Sequence, residues 1–215
     1  MSIRTFSSFI VVLALIAGIA NSHGNNTPAT TAGSKAIGKA AFQRDMRKLW
    51  EDHITWTRLF VISALADLPD KAATTQRLLQ NQTDIGNAVK SFYGEAAGNK
   101  LTDLLKTHII TAAELVGAAK AGDKAKQQDA TKRWYANADE IALFLSGANP
   151  KNWPAEEMKS MMREHLDATT AEVVARLTGD WAGDVAAYGR IHNQILGMAD
   201  MLSEGIISQF PEKFE

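Results

Sequence analysis

Apolar residues recur at three- and four-residue spacing from Phe42 to the end of the chain. The breaks between these runs hold Gly, Pro, Asp and Asn, which are the residues that end and begin helices. No alternation of apolar and polar residues is long enough to indicate a strand. The pattern therefore predicts an all-α domain over residues 42–215, with helices at 42–66, 72–93, 98–121, 124–147, 154–178 and 181–209.

The predicted helices fall into three similar pairs. The segments LWEDHITWTRLFVISAL, LLKTHIITAAELVGAA and MMREHLDATTAEVVARL align without gaps through His53, His108 and His165. Each is followed by a short turn and a second helix that carries Arg, so the repeating unit is a helical hairpin of about 56 residues. Because the turns are short, the two helices of each hairpin are expected to be antiparallel neighbours. The sequence predicts a six-helix bundle of three repeated hairpins, at about 42–94, 98–149 and 154–210.

Each of the three repeated histidines lies within the apolar stripe of its helix, and a carboxamide residue interrupts the stripe of each second helix. Partners across an antiparallel hairpin lie equally far from its turn, and the midpoint of each histidine–amide pair falls in the turn. The spacing therefore predicts that each imidazole meets an amide inside its hairpin and that the three pairs form one layer. The predicted pairs are His53 with Asn81, His108 with Asn137 and His165 with Gln194.

Two interpretations of this layer involve no metal. In the first, buried imidazoles and amides satisfy one another's hydrogen bonds and set the register of the hairpins. In the second, the layer is the polar floor of a small-molecule pocket. Glu172, two turns after His165 on the same helix face, is the one carboxylate placed to join it. The candidate ligand-binding residues are then Asn81, Asn137, Gln194 and Glu172.

A metal site is the alternative interpretation. Imidazole nitrogens bind zinc and copper, and three of them converging on the bundle axis would provide a transition-metal site. Amides are weak ligands for such ions, and the Glu-x-x-His pairs of di-iron bundles do not occur, which count against this interpretation. The candidate metal ligands are His53, His108 and His165.

The amino-terminal residues have the pattern of a secretory signal peptide. Arg4 precedes an apolar run of twelve residues from Phe9 to Ala20, and small residues close that run. The run is short for the roughly 20 residues that span a bilayer, so no stable transmembrane segment is expected after cleavage. Residues 21–41 are rich in Asn, Thr, Gly and Ala and predict a flexible linker. The sequence predicts a signal peptide at 1–20 and a secreted, periplasmic or cell-surface protein.

Composition and motifs narrow the function. The formal net charge of -1 provides no basic excess for phosphates, so nucleic acid is not an expected partner. The chain has no cysteine, which excludes disulfides and thiolate chemistry. It has no Gly-x-Ser-x-Gly elbow, Walker loop, dinucleotide fingerprint or His-Glu-x-x-His. These absences favour a non-enzymatic binding or scaffold protein whose partner is a small molecule or another protein.

Several segments resemble a known group of proteins. LWEDHITWTR, RLLQNQTDIGNA, SFYG, RWYANADEIA and MADMLSEGI are similar to segments of an uncharacterised family of small secreted or cell-surface bacterial proteins. The resemblance implies an all-helical extracytoplasmic protein and brings no established activity or functional residues to this chain.

Overall fold

The computed structural model describes residues 36–215. Within this range the one β-type contact is an isolated bridge between Ile37 and Phe214. The all-α fold predicted from the periodicity is therefore confirmed. The predicted signal peptide and residues 21–35 of the predicted linker lie outside the described residues. The helices are α1 (Lys39–Leu65), α2 (Lys71–Ala121), α3 (Lys124–Ala148), α4 (Ala155–Leu177) and α5 (Trp181–Gln209), followed by a 3-10 turn at Pro211–Lys213.

The first residues of the described domain pack against its carboxyl terminus. α1 begins at Lys39, three residues before the predicted start. The Ile37 amide donates to the Lys213 carbonyl at 2.9 Å, and the Glu215 amide donates to the Ile37 carbonyl at 3.1 Å. Residues 37–41, which composition assigns to the linker, therefore belong to the folded domain.

Two of the helix boundaries follow the Gly-Asp pairs in the sequence. Gly122 and Gly179 adopt left-handed conformations, with φ of 68° and 76°. Asp123 and Asp180 cap the helices that follow, each accepting a hydrogen bond from a backbone amide three residues on, at 3.1 and 2.9 Å. The glycine ends one helix and the aspartate begins the next, as the sequence predicts.

Residues 36–215 form five α-helices where the sequence predicts six. The predicted second and third helices follow each other without a loop in α2, and Gly94 alone has non-helical backbone angles there, with φ 84° and ψ 168°. Gly86 and Gly98 touch, because a Cβ built on Gly86 would lie 2.6 Å from the Gly98 carbonyl oxygen. In a straight helix those residues would be about 18 Å apart. α2 therefore consists of two arms, residues 71–93 and 95–121, that bend back onto each other at Gly94.

The helices form a closed arrangement in which the first and last are neighbours. α1 packs against α2 and α5, α3 packs against α2 and α4, and α4 packs against α5. α1 and α4 also meet across the interior. Within residues 36–215 no helix combines the length and apolarity that crossing a membrane requires.

Buried apolar side chains form two clusters. The larger contains residues such as Trp50, Leu104 and Leu166, and in α1, the second arm of α2 and α4 it lies before and around the repeated histidine. The smaller cluster lies after the histidine in each of those segments. The histidines therefore lie at the boundary between the two clusters. The smaller cluster contains Phe60, Val61, Leu78, Ile109, Val116 and Val173.

Candidate functional site

The three repeated histidines are buried, with 4%, 4% and 6% of their surface exposed at His53, His108 and His165. Each Nδ1 contacts the side-chain amide of the residue 29 positions later in the chain. Each histidine therefore contacts a side-chain amide from a later helical segment, as the spacing predicts, with one partner corrected. The contacts are His53 with Gln82 at 3.2 Å, His108 with Asn137 at 2.8 Å and His165 with Gln194 at 3.1 Å.

The predicted pairing of His53 with Asn81 is wrong. Asn81 Nδ2 instead donates to the carbonyl of Leu49, four residues before His53, at 3.0 Å. Gln82 Nε2 donates to Asn81 Oδ1 at 3.1 Å and contacts the imidazole. Asn81 and Gln82 together thus make the two contacts that a single amide makes at His108 and at His165. The uniform spacing of 29 residues from each histidine is the sequence signal that identifies Gln82.

At His108 and at His165 a single amide makes both contacts. Asn137 accepts from His108 and donates to the Leu104 carbonyl at 3.2 Å. Gln194 accepts from His165 and donates to the Met161 carbonyl at 3.1 Å. Asn137 and Gln194 therefore each join an imidazole to the helical turn that precedes it. These bonds satisfy buried polar groups that would be costly to leave unpaired.

The three imidazoles are neutral at neutral pH. Burial lowers the pKa of His108 and of His165 to about 4. Burial, with the repulsion of His165 and His108, lowers the pKa of His53 well below its ordinary value of 6.5. The ring centroids of His53 and His165 are 5.7 Å apart. Because their amide partners present oxygen, Nδ1 of His108 and of His165 is assigned the proton, and Nε2 keeps its lone pair.

Glu172 does not join the histidine layer as predicted. Its carboxylate accepts from Arg58 at 2.5 Å, and the same guanidinium donates to Asp184 at 2.8 and 3.1 Å. Arg176 donates to Asp184 at 2.7 Å. Burial raises the pKa of Glu172 above its ordinary value despite the bond from Arg58. Two guanidiniums and two carboxylates from α1, α4 and α5 thus form a charge-balanced cluster. Glu172 belongs to this cluster because Arg58 is a cation, whereas His165 is neutral.

Two observations bear on the metal hypothesis, one against it and one in its favour. Among residues 36–215, no group of three or more His, Asp or Glu side chains is arranged to hold a metal ion. His53 and His165 are close and both are neutral, which is the form that binds metal. Metal binding by His53, His108 and His165 stays a prediction.

An apolar cavity of about 460 Å³ opens on the far side of the histidine layer. All six residues of the smaller apolar cluster line it. Its inner end is marked by Thr57, Ala112 and Thr169, each one helical turn after a repeated histidine. Lys124 and Thr178, which flank two of the interhelical turns, also line the wall. The predicted ligand-binding residues are not part of this wall: Asn81, Asn137, Gln194 and Glu172 all lie outside it.

Besides threonines of α1 and α4, polar side chains from one face of α3 line the cavity. Gln127, Thr131, Trp134 and Tyr135 line it from that helix. Trp134 is only 3% exposed, and its indole Nε1 has no hydrogen-bond partner within the described residues. The sequence does not identify Trp134 as a cavity residue, because an apolar helical stripe does not distinguish a packed face from a cavity wall.

Comparisons of this chain with protein-family models, with curated proteins and with solved structures find no match. The candidate site is therefore defined by its geometry and chemistry alone.

Proposed function

We propose that this protein is a non-enzymatic extracytoplasmic binding protein that holds a small, mainly apolar molecule in the cavity beyond the histidine layer. One observation carries the proposal: the smaller apolar cluster lines a cavity of about 460 Å³ instead of closing on itself. Small-molecule sites are concave, mostly apolar and about 300–1,000 Å³ in volume, with a few polar groups that orient the ligand. The cavity has each of these properties.

Binding is favoured over catalysis by the state of the ionisable groups. The three imidazoles lie behind the cavity wall, and each is hydrogen-bonded to an amide. Glu172 and Asp184 are bound by arginines. Among the described residues that line the cavity, Lys124 is the one with a charged side chain, and it is exposed. The described residues that line the cavity therefore provide an apolar binding surface and include no acid–base pair.

The three-hairpin repeat is part of the proposal. We assign the hairpins to about 42–94, 98–149 and 154–210, with the two arms of α2 belonging to the first and second. The recurrence of a histidine–amide contact at 29-residue spacing supports this assignment. So does the amide bond to the carbonyl four residues before each histidine. In this account the layer sets the register of the hairpins and keeps the inner end of the cavity open.

The extracytoplasmic location rests on the sequence. The apolar run and small-residue boundary within residues 1–20 support a signal peptide. The resemblance to the uncharacterised family of secreted or cell-surface bacterial proteins supports the same location.

The test is saturable binding of a neutral apolar fluorophore, N-phenylnaphthylamine, by residues 21–215. We expect one site per chain. Ala112→Phe places a ring at the inner end of the cavity and should weaken binding roughly tenfold or more, equivalent to about 1.4 kcal/mol. Ala96→Phe adds the same ring at an exposed position in the same arm of α2, away from the cavity wall, and should leave binding unchanged.

A second substitution controls for the possibility that Ala112→Phe weakens binding by disturbing the fold. Thr170 lines the cavity but is exposed, so Thr170→Trp should obstruct the cavity without disturbing the core. Equal binding by wild type, Ala112→Phe and Thr170→Trp, all with native helical circular dichroism, would refute the proposal.

Metal binding through His53, His108 and His165 is the second candidate. It is favoured by the assigned proton on Nδ1 of His108 and His165, because a metal-binding histidine usually donates its other nitrogen to an oxygen. Metal analysis of protein purified without an affinity tag tests it. About one equivalent of zinc or copper, with a melting temperature that falls on chelation, is expected for a metal protein. Metal-free protein with a chelator-independent melting temperature would eliminate this function.

A further inference from the structure

We propose that the ligand of the cavity is a single-chain amphiphile, whose alkyl chain lies along the apolar wall and whose anionic head group lies beside Lys124. This inference rests on the proposed function and specifies the chemical class of its ligand. The length of the wall and the position of its charged side chain support it.

The cavity is long and mainly apolar. Its wall includes Thr169, next to the histidine layer, and Thr178, at the end of the same helix, which are nine positions or about 14 Å apart along the axis. Between these two levels the wall contains apolar side chains such as Val61, Ile109 and Val173. An extended alkyl chain of the length found in decanoate suits this space, because each methylene group that it buries adds to the affinity.

The wall meets solvent at the end of the bundle next to the turns at Gly122 and Gly179. Lys124, Leu177 and Thr178 line the wall at this end, and all three are exposed. A head group there keeps most of its hydration, so it avoids the large cost of burying a charge. An amphiphile is therefore expected to bind with its chain toward the histidine layer and its head group toward the turns.

Lys124 favours an anionic head group over a cationic one. It is the charged side chain of the described wall, and it forms no ion pair within residues 36–215, whereas Lys126 is paired with Asp123 at 2.9 Å. Asp123 and Asp180, the carboxylates of the two adjacent turns, cap α3 and α5. The Lys124 ammonium is carried on a flexible stem, so it can approach a head group at this end of the cavity without a fixed side-chain orientation.

Lys132 provides a matched control. It lies eight positions after Lys124 on α3, or about 12 Å along the axis, and it is also exposed. It forms no ion pair among the described residues, and it is not part of the cavity wall. Because salt screens exposed charges over about 8 Å at physiological ionic strength, Lys132 should have little effect on a head group beside Lys124.

The experiment compares decanoate with decanol, which have the same chain length and differ in the head group. Equilibrium dialysis at about pH 8, where a carboxyl group is ionised, gives the ratio of their dissociation constants for wild type and each variant. The ratio cancels the contribution of the chain. Lys124→Met should weaken decanoate relative to decanol by roughly two- to fivefold, the range expected for one exposed ion pair, and Lys124→Glu by more. Lys132→Glu should give the wild-type ratio.

The outcomes separate this inference from the proposed function. If N-phenylnaphthylamine binds but neither amphiphile does, or if the Lys124 variants have the wild-type ratio, the inference is overturned and the binding function stands. A shift in Lys132→Glu as large as that in Lys124→Glu would also overturn the inference, because the effect would then come from net charge. Failure of wild type to bind either amphiphile or N-phenylnaphthylamine would remove both.

Discussion

At the scale of single residues, most of the histidine–amide contacts can be predicted from the sequence pattern. Two of three partners follow from counting outward from the turns, since antiparallel helices place equidistant residues side by side. The count fails by one position at His53, where Asn81 and Gln82 are adjacent amides and both are fully buried. Which of them faces His53 depends on the rotation of the helix about its axis, and spacing from the turn does not define that rotation.

His108→Leu tests the energetic role of the pair. The substitution leaves Asn137 Oδ1 buried without its donor, so it should lower the free energy of unfolding by about 1–3 kcal/mol. His108→Leu with Asn137→Leu removes both groups and should recover part of that loss. Urea unfolding of wild type and the two variants measures this. A double variant at least as unstable as the single one would contradict the assigned hydrogen bond.

At the scale of helices, the Gly-Asp boundaries are predictable because their chemistry is local. A left-handed glycine and a capping aspartate act on their own turn. The bend of α2 is different. The sequence predicts a break at Gly94, but the close contact of Gly86 with Gly98 depends on the angle between the arms. That angle is set by packing, which periodicity does not describe.

Gly94→Ala tests the bend. A φ of 84° with ψ of 168° is a conformation that essentially only glycine adopts, so alanine should cost on the order of 1–3 kcal/mol in unfolding free energy, although open space surrounds the new Cβ. Gly117→Ala, in the second arm of α2 and equally open, is the control. It should stabilise by roughly 0.5–1 kcal/mol, because alanine favours the helix. Similar effects of the two substitutions on chemical unfolding would argue against the bend.

At the scale of the whole molecule, the cavity could not be predicted from sequence. The wall contains apolar residues such as Phe60, Val61 and Val173, whose spacing in the sequence is that of core residues. A packed core and a cavity wall have the same apolar periodicity. The difference depends on how closely the helices pack beyond the histidine layer, which apolar periodicity does not describe. The prediction that Glu172 joins the histidine layer is wrong for a related reason. Arg58 reaches Glu172 from another helix, and the spacing of residues within α4 does not reveal that neighbour.

The buried histidines also predict how global stability depends on pH. Their pKa values in the folded protein are below the ordinary 6.5, and are about 4 for His108 and His165, so the unfolded chain binds more protons in this interval. Stability is therefore complete above about pH 6.5 and falls as the pH decreases toward 4. The loss is on the order of 3 kcal/mol for each of His108 and His165. Glu172, whose pKa is raised, acts in the opposite direction as a single group.

Urea unfolding between about pH 7 and pH 5 measures this dependence. The variant that lacks both His108 and Asn137 side chains has one buried imidazole fewer and should have a shallower pH slope than wild type. A wild-type unfolding free energy that does not change over this interval would mean that the imidazoles are hydrated in the folded protein.

The most direct test of the central claim is a crystal structure of the protein grown with isopropylnaphthalene. Our account predicts ligand density inside the cavity, in contact with Val173 and Ile109 and ending near Thr57 and Thr169. Side chains filling that space in the presence of saturating ligand, or ligand bound only at the outer surface of the helices, would contradict it.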